Sequence, residues 1–315
     1  MKPILVVVLL LVAITPTRSM ELDELIDLYG SLRPEIIFRT PEGGETIRRM
    51  DDGYSRVGVK GKAKISNTLS GFYKYERRVS ANDGEDNGAA RADNNELRQV
   101  HVGLSGKLGS ISIGRHYGLY YDFIDDELDR HRSHYSDAIV FGSLFVSNSI
   151  RYDSPNFGAV SFGALAELNG ADPLGKAIDE RVEIAGSISD KGLSVHAGYV
   201  SAPDHDGLFG ISPTISHRAL TFALVYQKLK KTGNDDTLTS LAADFSISPG
   251  NRLRIARTIK KTRNTPDLDE VHLIFGSDHK FSKNVLFFLE TYRKTTDVPQ
   301  LSDESAVVAG LRFDF

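Results

Sequence analysis

Segment 123–137, FIDDELDRHRSHYSD, places four carboxylates before four basic or imidazole side chains. The acids are Asp125, Asp126, Glu127 and Asp129, and the later group is Arg130, His131, Arg132 and His134. If the segment were helical, His131 and His134 could together hold a cation. Helical spacing would also place Asp126 beside Arg130 as an ion pair, which is a purely structural use.

Hydrolytic chemistry is a second possibility, because a histidine can activate a serine or be oriented by an aspartate. The sequence contains neither a G-x-S-x-G elbow nor an HExxH motif, and GRHYG at 114–118 lacks the spacing of a phosphate loop. The remaining candidates are isolated histidines, namely His101, His116, His131, His134 and His196. We therefore expect no enzyme activity, no cofactor and no metal.

Basic side chains recur at every second position of segment 54–66. Arg56, Lys60, Lys62 and Lys64 share one parity, whereas the other parity holds valines, alanine, glycine and isoleucine. Side chains alternate between the two faces of a strand, so one face here is aqueous and the other is apolar. A lysine or arginine facing lipid at mid-membrane costs about 2–4 kcal/mol. We expect the same inward placement for Lys74, Arg151, Arg252 and Arg254.

The end of the chain shows the same alternation. Val307, Ala309, Leu311, Phe313 and Phe315 would face lipid, and Val308, Gly310, Arg312 and Asp314 would face a lumen. A strand of this kind that ends on an aromatic residue predicts a transmembrane β-barrel. The alternative is an edge strand of a soluble sandwich.

Residues 1–19 have the pattern of a secretory signal peptide, with Lys2 before an aliphatic run and small residues near Ser19. Their removal takes away Lys2 and Arg18 and no acid, which changes the formal charge from −4 to −6. The mildly acidic product is not expected to bind nucleic acid. There is no cysteine, so disulfides and thiolate metal sites are excluded.

With 25% charged residues and a mean hydropathy of −0.24, no later segment could span a bilayer as a helix. Any membrane span must then be a closed barrel. About sixteen short alternating segments are predicted within 20–315, joined by links that alternate between short and long. They cover 26–38, 54–66, 69–79, 97–107, 110–117, 145–153, 160–168, 181–187, 193–200, 208–216, 220–229, 237–246, 252–261, 271–281, 285–291 and 305–315. The long links near 39–53, 80–96, 169–179 and 295–304 would be external, and 118–143 is the longest link.

Several segments, and the order in which they occur along the chain, resemble the general diffusion porins of Gram-negative outer membranes. They are IDLYGSLRP at 26–34, YSRVGVKGKAKISNTLSGFYKYE at 54–76, LRQVHVGLSGKLGSISIGRHYGLYYD at 97–122 and SIRYDSPNFGAVSFGAL at 149–165. The resemblance implies an all-β, sixteen-stranded antiparallel barrel that assembles as a homotrimer. It also implies that the third loop, about 118–143, folds into the lumen and narrows it.

The resemblance further implies a constriction in which basic wall residues face acidic loop residues. The wall arginines fall on Arg56 and Arg98, with Lys60 and Arg151 as further candidates, and the acids come from Asp125, Asp126, Glu127 and Asp129. Arg98 has the parity of Val100 and Val102, so it would face inward only if a bulge lay near Gln99. Two departures are Ser31, where the family has a lysine, and the absence of the family's Pro-Glu-Phe-Gly-Gly loop signature.

We therefore expect an outer-membrane porin for passive diffusion of ions and small hydrophilic solutes. Expected partners are lipopolysaccharide, other outer-membrane lipid and the barrel-assembly machinery, the last through the strand that ends at Phe315. A substrate-selective porin, and a barrel whose loops act as adhesin or receptor, remain alternatives. Because there is no tryptophan, the aromatic girdles must use Tyr and Phe, and the candidates are Tyr73, Tyr226, Phe281, Phe287, Tyr292, Phe313 and Phe315.

Overall fold

The computed structural model describes residues 25–80, 97–135, 139–168, 181–203, 205–263, 268–298 and 303–315. The predicted signal peptide at 1–19 lies outside these ranges, as do nearly all of the predicted links 80–96 and 169–179.

The described chain is almost entirely antiparallel β-structure. The strands are β1 (Asp27–Leu32), β2 (Pro34–Pro41), β3 (Ile47–Asp52), β4 (Arg56–Lys64), β5 (Leu69–Arg78), β6 (Leu97–Gly106), β7 (Gly109–Tyr117), β8 (Phe145–Asp153), β9 (Val160–Glu167), β10 (Val182–Asp190), β11 (Leu193–Ala202), β12 (His205–His217), β13 (Leu220–Lys231), β14 (Asn234–Ser248), β15 (Asn251–Thr262), β16 (Leu268–Lys280), β17 (Val285–Thr296) and β18 (Glu304–Asp314). One short helix, α1 (Leu119–Phe123), follows β7. Every strand predicted from alternation is present.

These segments form one closed barrel of sixteen strands. β1 and β2 are successive halves of the first strand, separated at Arg33, and β3 and β4 are halves of the second. β1 pairs with β4 and β18, while β2 pairs with β3 and β18, so the first strand meets the last and leaves no free edge. The predicted antiparallel barrel is confirmed.

Side chains alternate between an apolar outer wall and a polar interior, as the pattern of the last strand predicted. On β18, Val307, Leu311 and Phe313 are exposed on the outside, whereas Ala306 and Val308 are buried within. Lipid would cover the outer positions, and the inner positions contact other parts of the chain. No helix among the described residues is long and apolar enough to cross a membrane.

The barrel closes around the terminal phenylalanine. Backbone hydrogen bonds join Gly30 and Phe315 in both directions, at 2.9 and 3.1 Å between nitrogen and oxygen. The Phe315 ring covers Gly30 so closely that a Cβ there would lie 2.3 Å from the ring carbon Cζ. Only glycine leaves room for this ring at the closing strand pair.

A Gly30→Val substitution is expected to destabilise the barrel by about 1–3 kcal/mol, because it forces the Phe315 ring away from the closing strands. Urea unfolding of the refolded protein, followed by heat-dependent mobility in SDS gels, would measure the change. Gly43→Val, in an open turn where nothing lies within 4 Å, is a control for lost backbone freedom, although its φ of +68° adds some strain. Equal stability of Gly30→Val and the unmodified chain would contradict this account of closure.

Several links are shorter than predicted. The expected long link at 39–53 is wrong, since β2 continues to Pro41 and β3 begins at Ile47. β13 and β14 are joined by Thr232 and Gly233 alone, and Gly233 has a φ of +95°. The alternation of long and short links therefore does not extend through the second half of the barrel, because the strands there are longer than the apolar pattern indicated.

Candidate functional site

A cavity of about 300 Å³ lies between the barrel wall and the segment that follows β7. Four of its lining arginines come from neighbouring strands or from the break between β1 and β2, and a fifth comes from the segment. The charged lining comprises Arg33, Arg56, Arg98, Arg132 and Arg312 together with Asp122, Asp126 and Asp129. Wall cations thus face carboxylates of the segment.

Glu76 on β5 holds the wall arginines in place. Its carboxylate accepts a hydrogen bond from Arg98 Nε at 2.8 Å, and Arg56 Nε lies 4.0 Å away. Lys74 Nζ is 3.9 Å from the same group. One buried carboxylate therefore keeps three basic side chains on the inner face of β4, β5 and β6.

A bulge turns Arg98 inward. Glu76 pairs with Gln99 across the ladder, but the next pair is Arg77 with Leu97, so Arg98 is the extra residue. Both Arg98 and Gln99 are buried. Strict alternation would have placed the Arg98 guanidinium in lipid, and the bulge removes that cost.

The four acids of the segment have different surroundings. Asp126 and Asp129 line the cavity, whereas Asp125 is fully buried and accepts a hydrogen bond from Gln227 of β13. Glu127 pairs with Arg130 and accepts a hydrogen bond from Thr214 of β12 at 3.2 Å. Only two of the four predicted acids therefore face the cavity.

The predicted ion pair between Asp126 and Arg130 is wrong. Helical geometry ends after α1, and a single 3-10 turn at Asp125–Glu127 follows. Arg130 instead binds Glu127, three residues earlier, and Asp244 of β14 at 2.9 Å. Arg130 therefore fastens the segment to the barrel and leaves Asp126 facing the cavity.

Lys60 and Arg151 do not line the cavity. Lys60 Nζ lies 3.2 Å from Asp27 and is half exposed. Arg151 binds Asp122 at 2.6 Å and Asp153 at 2.8 Å, so it fixes the carboxylate at the start of the segment. Four charged lining residues were not predicted for the constriction, namely Arg33, Arg132, Arg312 and Asp122.

Glu290 of β17 anchors the far end of the segment. Its carboxylate accepts hydrogen bonds from the backbone N–H groups of Arg132 at 2.6 Å and Ser133 at 3.0 Å. His131 Nδ1 lies 3.7 Å from the same carboxylate, and both side chains are buried. Because the Glu290 carboxylate is buried, breaking these hydrogen bonds would leave buried polar groups without partners, which is costly.

A histidine–carboxylate contact and a stacked pair of tyrosines also hold this end of the segment. His134 Nδ1 lies 3.2 Å from Glu35 of β2, and the Tyr135 ring stacks on Tyr292 at 4.2 Å between centroids. Tyr292 therefore points inward, and its predicted place in an interface girdle is wrong. His131 and His134 contact different carboxylates, and no group of three or more metal-ligating side chains occurs in the described ranges.

Tyr120 of α1 anchors the near end. Its backbone N–H donates to Glu183 of β10 at 2.9 Å, and its ring packs against Gly198 and Gly210. A Cβ at Gly210 would lie 2.2 Å from the Tyr120 hydroxyl, so the wall must be bare of side chains at this point. The near end of the segment thus contacts β10, β11 and β12, whereas its far end contacts β17 and β2.

Two carboxyls of the segment, which lie outside the spanning strands, have raised pKa values. Burial, aided by repulsion from Asp129, Asp122 and Glu127, raises the pKa of Asp126 to about 6. Burial raises the pKa of Asp125 to about 7, although hydrogen bonds from Gln227 and the Gly142 backbone oppose the rise. Both groups titrate near neutral pH.

Ion preference should therefore depend on pH through Asp126. Above pH 6 its carboxylate is charged, and as the pH falls through about 6 it binds a proton and the cavity loses one negative charge. We expect cation-over-anion permeability to fall by up to about fivefold between pH 7.5 and 5. Reversal potentials across a salt gradient would measure this. Asp126→Asn should remove most of the change, and a variant that titrates as the unmodified channel does would contradict the assignment.

A model of the Gram-negative porin family matches residues 20–298. The chain belongs to this family, and with its closed barrel it is a bacterial outer-membrane porin. The predicted sixteen-stranded barrel, the family and the outer-membrane location are confirmed.

Curated relatives agree with this assignment. The chain is 22% identical over 306 residues to outer membrane porin protein OmpD of Citrobacter koseri. This alignment covers 92% of this chain and 70% of the relative. It is 28% identical over 250 residues to outer membrane porin F of Salmonella typhimurium, which covers 76% of this chain and 62% of the relative. The chain thus spans roughly two thirds of the length of these relatives.

Solved porin structures share the fold. The Salmonella typhi OmpF complex with daunomycin superposes with a TM-score of 0.76 at 20% identity, covering 94% of this chain and 99% of that chain. An anion-selective porin from Comamonas acidovorans gives a TM-score of 0.75 at 15% identity, covering 92% and 99%.

Proposed function

We propose that segment 118–143 lies across the lumen and forms the constriction of a passive diffusion channel for ions and small hydrophilic solutes. The observation that carries this proposal is the cavity in which wall arginines face Asp126 and Asp129. Opposed charges on the two sides of a narrow aqueous passage create a field across it, which acts on every ion or dipolar solute that passes.

The charges near the cavity nearly balance. Arg98 is paired with Glu76, Arg132 with Asp278 and Arg312 with Asp314. Among the described residues, the Arg33 side chain binds the Ser31 hydroxyl through Nε, at 2.8 Å, and no carboxylate, and Arg56 is 4.0 Å from its acid. We infer that Arg33 and Arg56 supply most of the positive field and that ion preference is weak.

We also propose that the porin is a homotrimer with one pore per subunit, as the family resemblance implies. OmpT of Vibrio cholerae, solved in a trimer form, has the same fold, with a TM-score of 0.68 at 16% identity. Lipopolysaccharide and the barrel-assembly machinery remain proposed partners.

A planar bilayer experiment tests the function. The mature protein should insert as conductance steps in groups of three, and a salt gradient should give a small reversal potential. Insertion without conductance would overturn the diffusion channel and favour an adhesin or receptor. Steps that occur singly would overturn the trimer and leave the channel intact.

A further inference from the structure

An apolar groove of about 530 Å³ crosses the outer wall over β12 to β16. Its most exposed lining side chains are large and aliphatic or aromatic, and one is charged. They are Ile215, Phe222, Leu241, Ile255, Leu273 and Arg257. The groove is therefore a lipid-facing depression with a cation in its wall.

Small side chains and a local break in pairing create the depression. Ala243 pairs with Phe222 on one side and Ile255 on the other, so a methyl group lies between two large side chains. The ladder between β12 and β13 is interrupted next to Pro213, which has no N–H to donate. A slot with an alanine floor and bulky sides fits an acyl chain.

Arg257 lies on the outward face of β15, between the buried residues Ala256 and Thr258. Its side chain makes no ion pair or hydrogen bond to any described residue, and it is solvent-exposed. A guanidinium facing lipid is unfavourable unless an anion accompanies it. The described strands and links supply no such anion to Arg257.

A second arginine lies in the same cross-strand row. Leu273 of β16 pairs with Arg257 on one side and with Arg293 of β17 on the other. Arg293 is exposed on the outside, opposite to the inward Tyr292, and it too has no ion pair or hydrogen bond within the described ranges. Neighbouring strands are about 4.8 Å apart, so both long side chains can reach one anion above Leu273.

We propose that Arg257 and Arg293 bind the phosphate of an anionic membrane lipid whose acyl chain lies in the groove. Two guanidiniums present the forked donors that suit phosphate oxygens. The two arginines match the phosphate of one lipid molecule, and the apolar slot matches its acyl chain. The site is on the outer wall and does not depend on conduction through the lumen.

The chain has no tryptophan, so the fluorescence of one introduced tryptophan reports on the lipid at that position alone. Leu241→Trp puts it in the groove opposite Arg257. The protein would be reconstituted in vesicles that mix phosphatidylcholine with phosphatidylglycerol, with either lipid brominated to quench fluorescence. We expect the anionic lipid to be preferred about fivefold at this tryptophan, which corresponds to about 1 kcal/mol for a basic side chain at a membrane surface.

Two matched comparisons complete the test. Adding Arg257→Leu and Arg293→Leu should reduce the preference to about one, and adding Arg257→Lys and Arg293→Lys should retain part of it. A reporter on another outward wall, Ile184→Trp of β10, should show no preference. Equal quenching by both lipids at Leu241→Trp would overturn the site. Quenching by neither lipid would show that protein covers the groove, and would overturn it too.

Discussion

A Glu290→Ala channel is expected to conduct with a larger mean current and with strong open-channel noise. The substitution removes the acceptor for the backbone N–H groups of Arg132 and Ser133 and leaves them buried without a partner. A hydrogen bond to a charged group contributes about 1.5–3 kcal/mol, so the loss weakens attachment of the segment by about 3 kcal/mol or more. Residues 130–135 should then leave the wall for part of the time.

Single-channel recordings would measure this change, and two variants give the comparison. Glu290→Gln keeps one acceptor oxygen and should be intermediate. Glu304→Ala removes a carboxylate that pairs with Arg39 and makes no hydrogen bond to the described residues of the segment, so its noise should match that of the unmodified channel. A quiet Glu290→Ala channel with unchanged conductance would show that this anchor does not control the passage.

Exchanging both weakly paired wall arginines should change the ion preference most strongly. Arg33→Glu together with Arg56→Glu alters the charge of the cavity lining by four units. One unit charge at about 4 Å in water corresponds to about 1 kcal/mol, or about fivefold in an equilibrium. We expect cation-over-anion permeability to rise at least about tenfold, as read from the reversal potential in 0.1 M salt.

A matched control lies on the same strand as Arg56. Lys62→Glu with Lys64→Glu makes the same charge change at inward positions of β4 that do not line the cavity. Its effect should be several times smaller. The difference in ion preference between the two double variants should also shrink in 1 M salt, where the Debye length is about 3 Å and charges farther apart are screened. Equal effects of the two double variants would mean that overall lumen charge, and not this cavity, sets the preference.

The barrel was predictable because its wall is apolar outside and polar inside, so that apolar and polar residues alternate along each strand. Each predicted segment is a strand, and the faces of β18 are as the alternation of Val307, Val308 and their neighbours indicated. Strand ends were less predictable, since polar residues such as Lys230 and Asp235 extend hairpins beyond the apolar band.

The arrangement of the cavity was only partly predictable, because it depends on contacts between distant parts of the chain. Arg56 follows from parity, whereas the inward turn of Arg98 requires a bulge that pairing with β5 creates. Arg33 lies at the break between two strand halves, where alternation gives no signal. Whether Asp125 or Asp126 faces water depends on a 3-10 turn and on Gln227, which is 102 residues away from Asp125.

The hairpin at Thr232 and Gly233 is a natural grafting point for foreign sequence. Nothing lies within 4 Å of a Cβ built at Gly233, and the flanking pair, Lys231 with Asn234, already holds the two strands in register. A short epitope or affinity tag inserted between the two residues would meet no steric obstacle from the described chain. Because successive strands run antiparallel, this hairpin lies at the same end of the barrel as the link 295–304, which is predicted to be external. Bacteria that carry the fusion should therefore present the peptide on their surface, where antibodies can select it.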